Sequence, residues 1–212
     1  TTGFTMNAEA MAETMQGNTI QWMTQKAQNL QAVIVGSIII QENGQFFNRL
    51  IWMTPSGKYQ FYDKRHLFTL ANEHLSYSPG NRKLIITYKG WKICPLVCYD
   101  LRFPAWSRNL EDYDLLIYIA NWPTSRAAHW NALLRARAIE NQCYLAAVNR
   151  IGVDQKNNHY TGDSSIIDYN GSILYKAAQI ENAFTTKLSY EALLAFRKKL
   201  NFLPDRDNFS IT

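Results

Sequence analysis

Ile93-Cys94-Pro95-Leu96-Val97-Cys98-Tyr99-Asp100-Leu101-Arg102-Phe103-Pro104 is the stretch that decides how this chain is read. Residues 93–97 are a continuous apolar run, the pattern of a strand buried on both faces. Pro104 marks the first turn of a helix, where its missing N–H costs nothing. A strand running into a helix is the unit of an α/β fold. Cys98 stands between the two, at the exposed end of a sheet. A thiol there meets the positive end of a helix and free backbone N–H groups, which favour the thiolate. The same N–H groups can hold an oxyanion, and Arg102 adds positive charge. This is the logic of a nucleophile elbow with Cys in place of Ser. A buried structural thiol is the competing reading, and position alone does not choose between them.

Outward from this stretch the same patterning continues. Residues 84–88 and 91–97 read as strands joined at Lys89-Gly90. Residues 114–120 read as a buried strand, 127–141 as a helix and 144–150 as a strand. Residues 162–168 and 172–176 form a hairpin around Asn170-Gly171, 184–188 a last strand and 190–200 a helix. A second helix is expected over residues 104–109. Toward the N-terminus, residues 8–30 have helical composition, broken at Gly17-Asn18. Strands follow over 32–41, 46–54 and 58–62, with Asn43-Gly44 as a strong hairpin signal. Hairpins mixed with strand–helix alternation predict a layered α/β protein rather than a pure βαβ winding.

Composition bounds the function. The 212 residues fit one ordinary domain. Hydrophobic residues make up 47% and charged residues 18%, a globular balance that excludes a disordered chain. Three Cys, an odd number, argue against a disulfide framework and fit a reducing compartment, hence the cytoplasm. No apolar run approaches the about 18 residues of a membrane span. The net charge of +5 is mild, and its densest group, Arg197-Lys198-Lys199, reads as a solvated helix face. No basic stripe carries the interleaved aromatics of a nucleic-acid groove.

Other residues are candidates for chemistry. Cys94 lies within the strand and Cys143 between a helix and a strand, and neither has the neighbours of a zinc site. Lys64 ends a strand in Tyr62-Asp63-Lys64-Arg65-His66-Leu67-Phe68, as an oxyanion donor or a surface lysine. Glu73 is an ordinary loop carboxylate unless something places it near Lys64. Asn121-Trp122-Pro123 follows a buried strand, and strand ends are where open α/β sheets bind ligands. Trp130 opens the next helix, on which Arg137 and Glu140 read as a surface i, i+3 pair.

These motifs together resemble the nitrilase, or carbon–nitrogen hydrolase, superfamily. The resemblance rests on the segment around Lys64, the segment Leu96 to Pro104, and Arg135-Ala136-Arg137-Ala138-Ile139-Glu140-Asn141. Tyr160-Thr161-Gly162-Asp163-Ser164-Ser165 and Asn170-Gly171 fit as well. The opening Thr1-Thr2-Gly3-Phe4-Thr5-Met6-Asn7 and Ala120-Asn121-Trp122-Pro123 are most similar to the bacterial omega-amidase branch. The resemblance implies an αββα sandwich in a single domain over residues 1–212, and a Glu–Lys–Cys triad. It makes Cys98 the nucleophile, Lys64 a charged oxyanion donor, the Tyr99 backbone N–H the second donor, and Glu73 the additional carboxylate beside the lysine. No residue matches the first Glu of the triad, which the family carries just before the segment that Thr1 begins. The expectation is an N-terminally incomplete chain, without the first strand, the first helix and the strand bearing that Glu. No metal or organic cofactor is implied.

The implied reaction is hydrolysis of the terminal amide of 2-oxo acids such as 2-oxoglutaramate and 2-oxosuccinamate. Phe4, Trp122 and Trp130 are candidates for an apolar wall, and Arg102 or Arg126 for the cation an anionic substrate calls for. Another small amide or an N-carbamoyl compound, and a non-catalytic scaffold, are the alternatives. The superfamily also implies a homodimer packed through the helix after Pro104 and the C-terminal helix, with Phe103, Trp106 and Phe196 facing the partner and residues 205–212 crossing onto it.

Overall fold

A computed structural model describes residues 2–211 and divides the chain into two units, Thr1–Leu84 and Ile85–Thr212. Thr1, which opens the branch-like stretch, and Thr212, which ends the polar tail, lie outside the described residues.

The first unit is a three-stranded antiparallel sheet with helices α1 (Ala8–Met11) and α2 (Asn18–Leu30). Its strands, β1 (Ile34–Glu42), β2 (Gln45–Met53) and β3 (Tyr59–Asp63), stand in the order β1-β2-β3. Asn43 and Gly44 both take positive φ, 51° and 75°, and close a two-residue loop with Glu42 opposite Gln45. That is the backbone an Asn-Gly hairpin needs, because its twist matches that of the flanking strands. Ile20, Met23 and Ala27 of α2 bury against Ile38 and Ile40 of β1 and Ile51 and Met53 of β2.

The helical stretch breaks earlier than expected, after Met11. Glu13 is the reason. Its backbone bridges β1, donating to Ile39 O at 3.0 Å and accepting from Gln41 N at 2.8 Å. Its carboxylate accepts from Thr19 N at 2.8 Å and so caps α2, a task Gly17 has no side chain to perform.

The second unit is one sheet in the order β10-β9-β7-β6-β5-β4. In chain order its elements are β4 (Ile86–Tyr88), β5 (Trp91–Val97), α3 (Pro104–Ser107), β6 (Leu115–Ala120) and α4 (Ala127–Glu140). Then come β7 (Tyr144–Asn149), β8 (Ile151–Val153), β9 (His159–Ile167), β10 (Ile173–Ala178) and α5 (Tyr190–Lys199). The centre is parallel: β5 pairs with β6, and β6 with β7. The carboxyl ends of three neighbouring strands, Val97, Ala120 and Asn149, therefore open on one edge. β4 reaches only to Ile93, so Pro95 lies on a stretch with an edge on that side, where its missing N–H costs no ladder bond.

Several expectations are corrected here. Residues 184–188 form no strand. They pair with no neighbour, and Phe184 instead stacks flat on Tyr175, centroids 3.8 Å apart. The helix after Pro104 is a single turn, because residues past Ser107 are drawn off by Asn109. Its amide donates to Tyr113 O and Asn141 O, at 2.9 and 3.0 Å. Arg197 is no part of a solvated face: it donates to Gln142 O at 2.9 Å, Asp114 Oδ1 at 2.8 Å and Tyr113 O at 2.6 Å, leaving Lys198 and Lys199 exposed. Arg137 is buried rather than on the surface. Trp106 is also buried within the chain, while Phe196 is half-buried beside Tyr169, centroids 4.6 Å apart. Strand β8 had no signal in the sequence.

Candidate active site

Lys64 follows β3, and its backbone is clamped on both sides. Its N–H donates to Asn48 O and its carbonyl accepts from Gly80 N, each at 2.9 Å. Gly80 is required for that approach, since a Cβ there would stand 2.1 Å from Asp63 O. The Lys64 side chain is 1% exposed, and its Nζ donates to both carboxylate oxygens of Glu73, at 2.8 and 2.6 Å. Glu73 is fully buried and opens a single 3-10 turn, Glu73–Leu75, entered through Asn72 in the left-handed region. Its Oε2 also accepts from Phe68 N at 2.5 Å. So Glu73 is no ordinary loop carboxylate: it fixes the lysine in position and closes the loop between them. A surface lysine is excluded.

Two aromatic groups complete this half. The Phe4 ring lies 5.7 Å from Lys64 Nζ and 6.4 Å from the Phe68 ring. Tyr77 donates to Thr5 O at 2.7 Å and so pins the segment that carries Phe4. Burial, aided by the negative charge of Glu73, pushes the Tyr77 phenol up to about 12.

Cys98 sits where β5 ends and a 3-10 helix, Cys98–Arg102, begins. Its φ is +45°, the left-handed region that a non-glycine residue rarely enters. A strained residue at a strand-to-helix turn is the backbone of a nucleophile elbow. The turn is held from both ends. Asp100, fully buried, accepts from Val97 N at 3.1 Å. Arg137 reaches from α4 to donate to Leu101 O at 2.8 Å, while its other arm holds Glu140 at 3.0 Å. The buried arginine thus binds the turn that presents the thiol. Cys98 is half-buried, with Sγ 3.9 Å from Asn121 O. Tyr99 sets its ring edge-on to Phe103, centroids 5.1 Å apart. Cys94 and Cys143 are buried in the core, and burial pushes the Cys143 thiol up.

The neighbouring strand end supplies the aromatic cluster. Trp122 is bracketed by Asn149: its N–H donates to Asn149 Oδ1 at 2.7 Å, and its carbonyl accepts from Asn149 Nδ2 at 3.0 Å. Its indole donates to Arg126 O at 2.8 Å. The Arg102 guanidinium lies 4.7 Å above the Trp122 ring and bonds His129 Nδ1 at 3.1 Å. Trp130 is 0% exposed, 5.5 Å from Trp122, and donates to Asp163 O at 3.0 Å. It backs Trp122 from inside.

The candidates therefore gather in two groups, Lys64–Glu73–Phe4 in the first unit and Cys98–Tyr99–Arg102–Trp122–Trp130 in the second. Asn149, which brackets Trp122, is a member of the second group that no sequence motif marked for chemistry. Asn149 was within reach, because it ends the third parallel strand just as Ala120 ends the second. Among the described residues no cluster of three or more His, Cys, Asp or Glu side chains has the geometry of a metal site. No helix among them is long and apolar enough to cross a membrane.

The carbon-nitrogen hydrolase family profile matches residues 1–193. The chain is 49% identical to the omega-amidase YafV of Escherichia coli K12 over 212 residues, all of this chain and 82% of that protein. It is 31% identical to the 2-oxoglutaramate amidase of Bacillus subtilis over 210 residues, 97% of this chain and 81% of that protein. The crystal structure of XC1258 from Xanthomonas campestris, a CN-hydrolase superfamily protein with an arsenic adduct in its active site, matches with a TM-score of 0.96 and 46% identity. That match covers 99% of this chain and 82% of the other.

Proposed function

The chain belongs to the carbon–nitrogen hydrolase family, and from that premise we infer that it is an omega-amidase. It hydrolyses the terminal amide of small 2-oxo acid amides, 2-oxoglutaramate and 2-oxosuccinamate, to the dicarboxylic acid and ammonia. The observation that carries the reading is likeness along the whole chain to proteins named for this activity. The left-handed Cys98 at the end of a parallel strand supports it.

In this reading the Cys98 thiolate attacks the amide carbon. Its proton goes to the carboxylate that the family resemblance implies as general base. The tetrahedral oxyanion is stabilised by the Lys64 ammonium and the Tyr99 N–H. One such donor is worth about 3–4 kcal/mol of barrier in other acyl transfers. Glu73 is a positioning residue: its two oxygens hold the Lys64 Nζ in place. The base returns the proton to the nitrogen, ammonia leaves, and a thioester remains on Cys98. A water molecule, deprotonated by the same base, adds to the thioester carbon and releases the acid and the thiol. Trp122 and Phe4 form apolar walls, Arg102 stiffens Trp122, and Trp130 acts through it.

The finer reading adds a cytoplasmic homodimer. None of the three cysteines forms a disulfide, and Leu194 and Leu200, exposed at 46% and 49% on and just beyond α5, offer an apolar face. Sedimentation of a monomer at micromolar protein would count against the dimer.

The test is Cys98→Ala in protein of natural length. Ammonia release from 2-oxoglutaramate stops while the circular dichroism spectrum stays that of the parent. Residual turnover above a few per cent overturns the mechanism.

A further inference from the structure

Arg150 stands one residue beyond β7, at the edge where the parallel strands end. Its N–H donates to Ala120 O at 3.2 Å. Ala120 is the last residue of β6, and the carbonyl of the next residue, Asn121, lies 3.9 Å from Cys98 Sγ. The backbone therefore sets Arg150 beside the strand end that borders the thiol. Its guanidinium lies over the Tyr160 ring, 5.0 Å from the centroid. Tyr160 is buried and anchored in turn, donating to Asp154 Oδ2 at 2.9 Å. Burial first, then the Asp154 carboxylate and the charge of Cys98, push the Tyr160 phenol up to about 12.

Several cations of this structure hold a carboxylate. Arg49 holds Glu42 and Asp63, Arg137 holds Glu140, Arg197 holds Asp114, Arg206 holds Asp112 and Lys176 holds Asp163. Arg150 differs. Its side chain makes one hydrogen bond, Nη2 to Val153 O at 3.1 Å, and has no carboxylate partner among the described residues. Asp154, the nearest acid in sequence, is engaged by Asn158, by Lys156 N and by Tyr160. A half-buried guanidinium that lies over an aromatic ring and has no carboxylate partner among the described residues can match a planar carboxylate through two parallel N–H···O bonds. Stacking also limits the freedom that the side chain loses on binding. Arg102 is engaged in a similar way, with one arm on His129 and its guanidinium over Trp122, so its variant is the necessary comparison.

We propose that Arg150 receives the carboxylate of the substrate, and that Tyr160 holds the guanidinium flat for it. This rests on the omega-amidase reading above, because it needs a substrate with a carboxylate at the end opposite the scissile amide.

The experiment compares kcat/KM for 2-oxoglutaramate with kcat/KM for pentanamide, a neutral amide of the same chain length, in protein of natural length. Arg150→Gln lowers the ratio of the two constants by about 30-fold, the loss expected for a hydrogen bond between charged groups, mainly through KM for the oxo acid. Arg150→Lys keeps the charge but loses the two-pronged geometry, and lowers the ratio less. If Arg150→Gln does not fold, Arg150→Lys decides alone, and a ratio equal to the parent's overturns the proposal. So does a ratio that collapses in Arg102→Gln but holds in Arg150→Gln. A parent enzyme that prefers pentanamide overturns the omega-amidase reading itself, and that result is visible before any variant is made.

Discussion

Removing the Glu73 side chain strands the Lys64 ammonium in the protein interior. Both groups are at most 1% exposed, so neither can turn to water. Glu73→Ala deletes two charge-assisted bonds to Nζ, at 2.8 and 2.6 Å, and the acceptor for Phe68 N. Breaking a buried pair by removing one partner costs about 3–5 kcal/mol. The orphaned, half-buried Phe68 N–H adds about 1 kcal/mol. Against a total stability of about 5–15 kcal/mol this is a large fraction. At about 2–4 °C per kcal/mol for a chain of this size, the melting temperature falls by roughly 10–20 °C. Lys64→Met alone costs nearly as much, because the carboxylate is then the stranded charge. The double variant Lys64→Met/Glu73→Leu buries two apolar side chains instead and recovers most of the loss. Activity follows a different course: all three variants lose turnover, because none presents a fixed ammonium to the oxyanion. Scanning calorimetry and ammonia release, run on the parent and the three variants, read both quantities. The reasoning fails if Glu73→Ala melts within about 2 °C of the parent, or if the double variant loses as much as the two single variants combined.

Arg137→Met removes the donor to Leu101 O and should lower stability by about 1.5–3 kcal/mol. It should also lower kcat more than it raises KM, because the turn presenting Cys98 loosens; unchanged kcat in a folded variant refutes this. The Asn158 side chain foremost, together with the N–H groups of Asn158 and Lys156 and the Tyr160 hydroxyl, holds the Asp154 carboxyl down to about 2, below its ordinary 3.8. Because the folded value is the lower one, the order these bonds confer on residues 154–158 is complete above pH 3.8 and is lost as pH falls towards 2. Carbon-detected NMR titration of the Asp154 carboxyl should give a midpoint near the lower value; one at 3.8 refutes the loop geometry.

What the sequence made legible was local. The Asn43-Gly44 loop, the strand ending at Val97 and the helix over Ala127–Glu140 each follow from a short pattern with one dominant cause. Cys98 was marked for the same reason, since a strand, a turn and a proline lie side by side in the chain. What escaped depended on partners far away in sequence. Helical spacing paired Arg137 with Glu140 correctly, but it could not show that the other arm reaches Leu101, 36 positions earlier. Residues 184–188 have the composition of a strand and find no strand to pair with. Glu13 reads as one more helical residue until its backbone is seen to bridge β1. Arg150 and Tyr160 acquire meaning only through the register of β7 on β6 and of β9 on β8.

The left-handed backbone at Cys98 sets selection for heat resistance against selection for turnover. A side chain in that region costs roughly 1–2 kcal/mol, which glycine would not bear. Glycine's added freedom in the unfolded chain offsets about 0.5–1 kcal/mol of that. A library of this protein screened only for survival at high temperature would therefore tolerate, and on balance favour, glycine at the position to which the proposed mechanism assigns the nucleophile. Thermal screens of this fold need an activity gate, or they will enrich well-folded and inert proteins.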